Sequence, residues 1–284
     1  MGGEEDWIAR RGKIVVKYLA AKGCSALGNA VRLFTVDLDG CLMPGRDSEL
    51  DFTSFTMVRE YCRRAETLGF PRLVLCTGRP QPYVAAVLRI LGAIWPRTPS
   101  VIESGAYLYY PYEGEVRVNP LLEGPALERW RELRRDLARQ APEMRARPGL
   151  GEKTGLSLFP TDDETVEQLH IRLSDQLIDE GLEFTRSNMC VDITPKGVNK
   201  QSGILMLAEA TGISVQEMVG IGDSLNDIAM LTAVGIPTCP ANAHPTVKET
   251  SVYVSPYEYT RGVRDILEHF VPQAGGLDAP GCDR

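Results

Sequence analysis

The chain has 284 residues, 43% hydrophobic and 24% charged, a composition that excludes a disordered, collagen-like or coiled-coil protein. Its formal net charge of −7, without a block of basic residues, argues against nucleic acid or an anionic membrane as the partner. The length is sufficient for a core domain and a second lobe.

The seven cysteines are widely spaced and form no CxxC pair, which argues against a disulfide framework or a zinc site. No stretch approaches about 18 consecutive apolar residues, and the amino-terminal segment lacks the apolar run of a signal peptide. We therefore expect a cytoplasmic protein.

The first part of the chain alternates strand and helix patterns. VRLFTVD at 31–37 predicts a buried strand, followed by the Gly- and Pro-containing loop DLDGCLMPG. Residues 51–69 carry apolar positions at helical spacing and end at a glycine. Next come a predicted strand at 73–80, a helix at 81–92 and a strand at 100–104. This alternation indicates a parallel sheet with right-handed crossovers.

The pattern changes near Glu113, where short strands are separated by two predicted helices at 125–140 and 163–180. After Asn199 the alternation resumes, with a helix at 200–211, strands at 218–223 and 252–255 and a helix at 225–233 between them.

We predict an α/β fold in which a Rossmann-like parallel core contains an inserted α+β cap. The core comprises 31–111 and 195–271, and the cap comprises 112–194. Residues 1–30 are expected to form a helical extension and residues 272–284 a flexible tail.

Acidic and polar side chains follow three of the predicted core strands. Because the carboxyl ends of parallel strands meet at one edge, we expect these side chains to lie together. Four clustered carboxylates repel one another unless a cation is bound, and oxygen ligands favour Mg²⁺. The residues are Asp37 and Asp39 after the first strand, Thr77 after the second, and Asp223, Asn226 and Asp227 after MVGIG.

Four motifs occur in a fixed order: DLDG, CTGR, a lysine at the start of a predicted helix, and GDSLND. In this combination they resemble the haloacid dehalogenase superfamily of phosphohydrolases. The resemblance implies a haloacid dehalogenase-like core that hydrolyses phosphomonoesters with Mg²⁺ through an aspartyl-phosphate intermediate.

The resemblance also implies roles for the first two aspartates. Asp37 corresponds to the nucleophile, which splits a slow hydrolysis into two displacements and holds the metal. Asp39 corresponds to the general acid and base, and is also assigned to the metal site. Superfamily dehalogenases lack this second aspartate, so its presence favours a phosphatase.

The remaining core roles follow from the same resemblance. Thr77 donates to a phosphoryl oxygen, and Lys200 neutralises the nucleophile and the phosphate. Lys196 is the alternative lysine, but Lys200 stands at the start of the helical run. Asp223 is the direct metal ligand of the last motif, whereas Asn226 and Asp227 support the site from behind.

The cap lies between Thr77 and Lys200, the only long interval between these motifs. Its element content is similar to the large α/β cap of the superfamily's sugar phosphatases, including sucrose-phosphate phosphatase and mannosyl-3-phosphoglycerate phosphatase. We therefore expect a small, sugar-type phosphorylated metabolite as the substrate. The cap residues predicted to bind it are Arg186, Asn188, Lys153 and Arg147.

Two other functions remain open on the sequence alone. A phosphomutase of the same superfamily shares Asp37 and Asp39, and a non-catalytic phosphosugar-binding protein shares the fold. A nucleotide-dependent dehydrogenase and a P-loop protein are excluded, since neither GxGxxG after the first strand nor GxxxxGK[ST] is present.

Overall fold

A computed structural model of the protein describes residues 31–45, 48–149, 151, 153–161, 163–177, 181–187 and 189–276. The predicted amino-terminal extension, the candidate Asn188 and residues 277–284 of the tail lie outside the described residues.

The described residues form twelve strands and eight α-helices. The strands are β1 (Leu33–Val36), β2 (Arg72–Leu75), β3 (Ser100–Ile102), β4 (Tyr107–Tyr110), β5 (Glu115–Val118), β6 (Ala146–Pro148), β7 (Leu156–Pro160), β8 (Leu182–Arg186), β9 (Val191–Pro195), β10 (Met218–Ile221), β11 (Ile236–Cys239) and β12 (Tyr253–Val254). The helices are α1 (Phe52–Leu68), α2 (Gln81–Leu91), α3 (Pro125–Gln140), α4 (Val166–Gln176), α5 (Lys200–Thr211), α6 (Ile228–Ala233), α7 (Pro245–Thr250) and α8 (Tyr259–Phe270).

The core is a five-stranded parallel sheet in the order β12-β11-β10-β1-β2. Every residue of β1 and β10 is buried, because helices cover both faces of a parallel sheet of this kind. The polar loops after β1, β2 and β10 therefore open at the same edge. This arrangement confirms the predicted α/β core.

The third predicted strand joins this parallel sheet only through a single parallel bridge, between Cys76 and Val101. On its other side, β3 pairs antiparallel with β4, and β4 pairs with β5. The predicted boundary at 111/112 separates β4 from β5, although the two strands form a hairpin. Gly114 lies in the tight turn of that hairpin and has a φ of +73°.

The inserted lobe contains a four-stranded antiparallel sheet in the order β6-β7-β9-β8, with α3 and α4. This lobe confirms the predicted α+β cap. Helix α4 is shorter than predicted because Thr165 closes its amino-terminal end with a capping box.

Local capping explains why several predicted boundaries match the structure. Asp51 caps the start of α1 and Gly69 ends it in a left-handed conformation. Asn199 caps α5, which makes Lys200 the first residue of that helix. The tail, by contrast, is folded at its start: Pro272–Gly276 form a short 3-10 helix in which Ala274 is buried.

Candidate active site

The loop after β1 carries Asp37 into the site. Its main-chain N–H donates to the Ile221 carbonyl at 2.9 Å, which ties the loop to the end of β10. Gly40 has a φ of +89°, and a Cβ there would lie 2.2 Å from Asp223 Oδ2. Only glycine permits the two acidic loops to approach this closely.

Lys200 lies between two buried carboxylates. Its Nζ is 2.9 Å from Asp37 Oδ1 and 2.5 Å from Asp227 Oδ1. The three side chains are 1%, 6% and 0% exposed, so this charge cluster is almost completely removed from water. The structure thus brings the predicted nucleophile and the predicted lysine together, whereas Lys196 is exposed.

Burial and mutual repulsion perturb these acids. Burial, together with the charge of Asp227, raises the pKa of Asp37 from 3.8 to about 7 despite the neighbouring Lys200. The same causes raise the pKa of Asp223 from 3.8 to about 8. Burial lowers the pKa of Lys200, but Asp227 and Asp37 outweigh it and raise that pKa well above its usual value. Shifts of this size are typical of functional sites.

Asp227 organises the loop after β10. Its Oδ2 accepts from the main-chain N–H groups of Asp223 and Ser224, at 3.0 and 2.9 Å, while Oδ1 binds Lys200. Ser224 Oγ in turn donates to Asn226 Oδ1 at 2.7 Å. Asp227 therefore uses both oxygens inside the protein, as expected for a residue that supports the site from behind.

The acidic cluster fits a divalent cation. Single carboxylate oxygens of Asp37, Asp223 and Asp227 all lie within 4.8 Å of one another, and all three residues are buried. A donor set made of oxygen atoms matches Mg²⁺, and a cation would relieve the repulsion that raises the pKa values of Asp37 and Asp223. Since Lys200 and main-chain N–H groups occupy Asp227, the ligands that would hold Mg²⁺ are Asp37 and Asp223.

The carboxylate of Asp39 does not belong to this group of three acids, and its predicted place at the metal site remains a prediction. It forms a bidentate pair with Arg79, whose Nε and Nη2 donate at 2.6 and 2.8 Å. The side chains are 31% and 33% exposed, so the pair lies at the mouth of the site. Arg79 is part of the CTGR motif, but nothing in that motif alone indicates its partner.

Thr77 stands at the end of β2, next to the buried acids, and is 1% exposed. Its main-chain N–H donates to Val101, and its Oγ1 accepts from the Arg79 N–H at 3.2 Å. The Ser104 N–H donates to the Thr77 carbonyl at 3.1 Å. These bonds fix the loop in which the resemblance places the phosphate-binding hydroxyl.

Cys41 is the thiol closest in sequence to Asp37, the predicted nucleophile. Its Sγ donates to Asp223 Oδ1 at 3.7 Å, and it is completely buried. Burial and the nearby carboxylates raise the pKa of Cys41 well above its usual value, so the thiol stays neutral.

The cap residues predicted to bind the substrate lie in different places in the structure. Arg186 pairs with Glu167 of α4 at 3.2 Å, and its strand partner is the core residue Val191. It therefore lies on the helix-covered face of the cap sheet, which argues against the predicted substrate contact. Arg147 is exposed and stacks on Phe159 with 5.0 Å between the guanidinium and the ring centre. Lys153 is exposed.

Glu103 anchors the cap to the core and is a residue that the sequence did not single out for this role. Its buried carboxylate accepts from the main-chain N–H groups of Lys153, Thr154 and Gly155, the shortest contact being 2.6 Å. Glu103 itself has a φ of +46°, a strained conformation that places its side chain against this loop.

A polar patch of the cap faces the acids. Asp192 of β9 is 6% exposed, and Ser157 Oγ of the neighbouring β7 donates to its Oδ1 at 2.5 Å. Asn226, on the loop after β10, also donates to this carboxylate, whose pKa is raised by burial. The alternation in VDITP, with polar residues at every second position, is the signal that could have identified this face.

The sequence matches a family model described as haloacid dehalogenase-like hydrolase over residues 151–267. This match includes the lysine and the last acidic motif of the site. The carboxyl-terminal part of the chain therefore resembles the haloacid dehalogenase-like hydrolases. The resemblance predicted from the motifs is confirmed.

Two curated relatives that this chain matches are phosphoglycolate phosphatases. The protein of Methanothrix thermoacetophila is 31% identical over 96 residues, which are 34% of this chain and 42% of that relative. The protein of Methanopyrus kandleri is 28% identical over 243 residues, which are 85% of this chain and 97% of that relative. The match thus covers less than half of the first relative but nearly all of the second. These relatives support the predicted phosphatase class.

A solved structure supports the fold. The sucrose-phosphatase of Synechocystis sp. PCC6803, determined with sucrose and phosphate, superposes with a TM-score of 0.61 and 18% identity. The match covers 84% of this chain and 98% of that structure, so it includes both the core and the cap.

None of the helices in the described part of the chain is long and apolar enough to span a membrane.

Proposed function

We propose that this protein is a Mg²⁺-dependent phosphomonoesterase that releases phosphate from a small, sugar-type metabolite through an aspartyl-phosphate intermediate. One observation carries the proposal: Asp37, Lys200, Asp227 and Asp223 form a single buried cluster at the edge of the parallel sheet. Burying three carboxylates and one lysine together costs free energy. At this edge of a parallel sheet, such a cluster is suited to bind a phosphoryl group and a cation.

In the first step, a carboxylate oxygen of Asp37 attacks phosphorus, and the ester oxygen leaves with a proton from Asp39. Lys200 balances negative charge at Asp37 and on the phosphoryl oxygens, and Thr77 donates its hydroxyl to one of them. Asp37 and Asp223 would hold Mg²⁺, which when bound would neutralise charge at the phosphoryl group.

In the second step, Asp39 accepts a proton from water, which attacks the phosphorus of the aspartyl phosphate and regenerates Asp37. Asp39 pairs with Arg79 at the mouth of the site, so its carboxylate must loosen that pair to reach the leaving oxygen. The Arg79 pair therefore defines a resting position for the proton-transfer group.

A second substrate class is supported by the names of the relatives. Two of them are phosphoglycolate phosphatases, and phosphoglycolate differs from a sugar phosphate in carrying a carboxylate near the ester. The chemistry at phosphorus is identical for both classes, so the leaving group alone distinguishes them.

The experiment is phosphate release from a panel of sugar phosphates, polyol phosphates, phosphorylated acids and nucleotides, with Mg²⁺ and with EDTA. We expect Mg²⁺-dependent release, with one substrate class well above the others. Transfer of the phosphoryl group to another hydroxyl without net release would instead indicate the phosphomutase, and the absence of both reactions in the folded protein would indicate a binding protein.

A further inference from the structure

The carboxylate of Asp192 is a buried cap group that the phosphoryl chemistry does not use. It lies on β9, on the face of the cap sheet shared with Ser157, because these two residues are paired across neighbouring antiparallel strands. The adjacent β8 packs against the Leu225–Asp227 turn of the core, so this face of the cap covers the acidic cluster.

The distance from Asp192 to the predicted phosphate loop is short. An atom at the Cβ position of Gly78 would lie 3.8 Å from Asp192 Oδ2. Gly78 directly follows Thr77, whose hydroxyl is assigned to a phosphoryl oxygen. Asp192 thus faces the substrate from the cap side, opposite Asp37.

The surroundings hold this carboxylate rigidly. Ser157 Oγ donates to Oδ1 at 2.5 Å, the thiol of Cys190 lies 3.6 Å from the same oxygen, and Asn226 donates from the core. Because hydrogen bonds from both the cap and the core hold this carboxylate, its oxygen atoms point in a defined direction.

A carboxylate next to a phosphoryl group is unfavourable unless a donor lies between them. The hydroxyl groups of a sugar or polyol supply such donors, whereas a leaving group with its own carboxylate adds a third negative charge. The negative charge of Asp192 therefore favours a neutral sugar or polyol leaving group over one that carries a carboxylate.

We propose that Asp192 determines substrate specificity: it accepts a hydrogen bond from a hydroxyl of a neutral sugar or polyol leaving group and disfavours leaving groups that carry a carboxylate. This inference rests on the proposed phosphatase function. It assigns to this chain a substrate class different from that named for its phosphoglycolate phosphatase relatives.

The test compares two esters with the same carbon skeleton, glycerol 3-phosphate and 3-phosphoglycerate, which differ in a terminal hydroxymethyl group or carboxylate. We expect wild-type kcat/KM to favour glycerol 3-phosphate by about tenfold or more. Asp192→Asn should reduce this preference about tenfold.

The matched control is Asp175→Asn, the same chemical change at an exposed position of cap helix α4, and it should leave the preference unaltered. Melting temperatures verify folding, and Asp192→Ser replaces the amide variant if that one is unfolded.

A wild-type preference for 3-phosphoglycerate, or a preference unchanged by replacing Asp192, would overturn the inference while leaving the phosphatase proposal intact. The absence of phosphate release from every ester of the panel would overturn the proposed function, and the inference with it.

Discussion

Lys200 Nζ lies 2.5 Å from Asp227 Oδ1, and the two side chains are 1% and 0% exposed. The pair joins the first residue of α5 to the loop after β10, and Asp227 also binds two main-chain N–H groups of that loop. Through Lys200, which also pairs with Asp37, this buried ion pair connects the amino-terminal end of a helix, the predicted nucleophile and the loop predicted to bind the metal.

Replacing Lys200 by Met should destabilise the protein and abolish turnover. Removing one partner of a buried ion pair leaves an uncompensated carboxylate, which typically costs about 3–5 kcal/mol of unfolding free energy. Denaturant unfolding measures this loss. The matched control is Lys196→Met, at an exposed position, which should change stability by less than about 0.5 kcal/mol. Equal effects of the two substitutions would contradict the assignment of Lys200.

Replacing Asp39 by Asn should slow the release of alkyl phosphates more than that of p-nitrophenyl phosphate. An alkoxide needs a proton to leave, and general acid catalysis contributes about 10²–10⁴-fold, whereas p-nitrophenolate leaves without one. Steady-state and single-turnover kinetics on both substrates separate the formation of the aspartyl phosphate from its hydrolysis. Similar losses on both substrates in the first turnover would show that Asp39 does not protonate the leaving group.

Mg²⁺ should stabilise the protein more strongly at about pH 8 than at about pH 6, because binding requires ionised carboxylates. In the metal-free protein the pKa values of Asp37 and Asp223 are raised from 3.8 to about 7 and about 8. The folded state then retains protons that the unfolded chain releases, so the contribution of these two acids to metal-free stability is fully present below pH 3.8 and is lost as the pH rises toward 8.

Melting temperatures with EDTA and with saturating Mg²⁺ check both parts of this expectation. At a Mg²⁺ concentration of 100 times the dissociation constant, the stabilisation is about 2.7 kcal/mol. A metal effect that is the same at both pH values would show that these acids do not titrate on metal binding.

The core of the site could be predicted from the sequence because its parts are local. Asp37 and Asp223 each end a buried strand, and parallel strands necessarily present their carboxyl ends at one edge. Asn199 marks the start of α5, which placed Lys200 correctly at the first helical position.

The remaining contacts depend on the register and on the packing of the cap, which local patterns do not encode. Arg186 was predicted to bind the substrate, but its pairing with Val191 turns it toward α4, while Asp192, one position further along β9, faces the core. A shift of one residue exchanges the two faces of a strand. The contact between Arg79 and Asp39 spans 40 positions and could not be predicted from either motif.

Phosphate release by Asp37→Asn, measured together with the melting temperature of the variant, tests whether Asp37 is the nucleophile of a phosphatase. We expect turnover to fall by about 10³-fold or more. We also expect an unchanged or higher melting temperature, because the substitution removes a buried charge that lies close to Asp227. Substantial residual release by the folded variant would contradict the assignment of Asp37 and the aspartyl-phosphate mechanism.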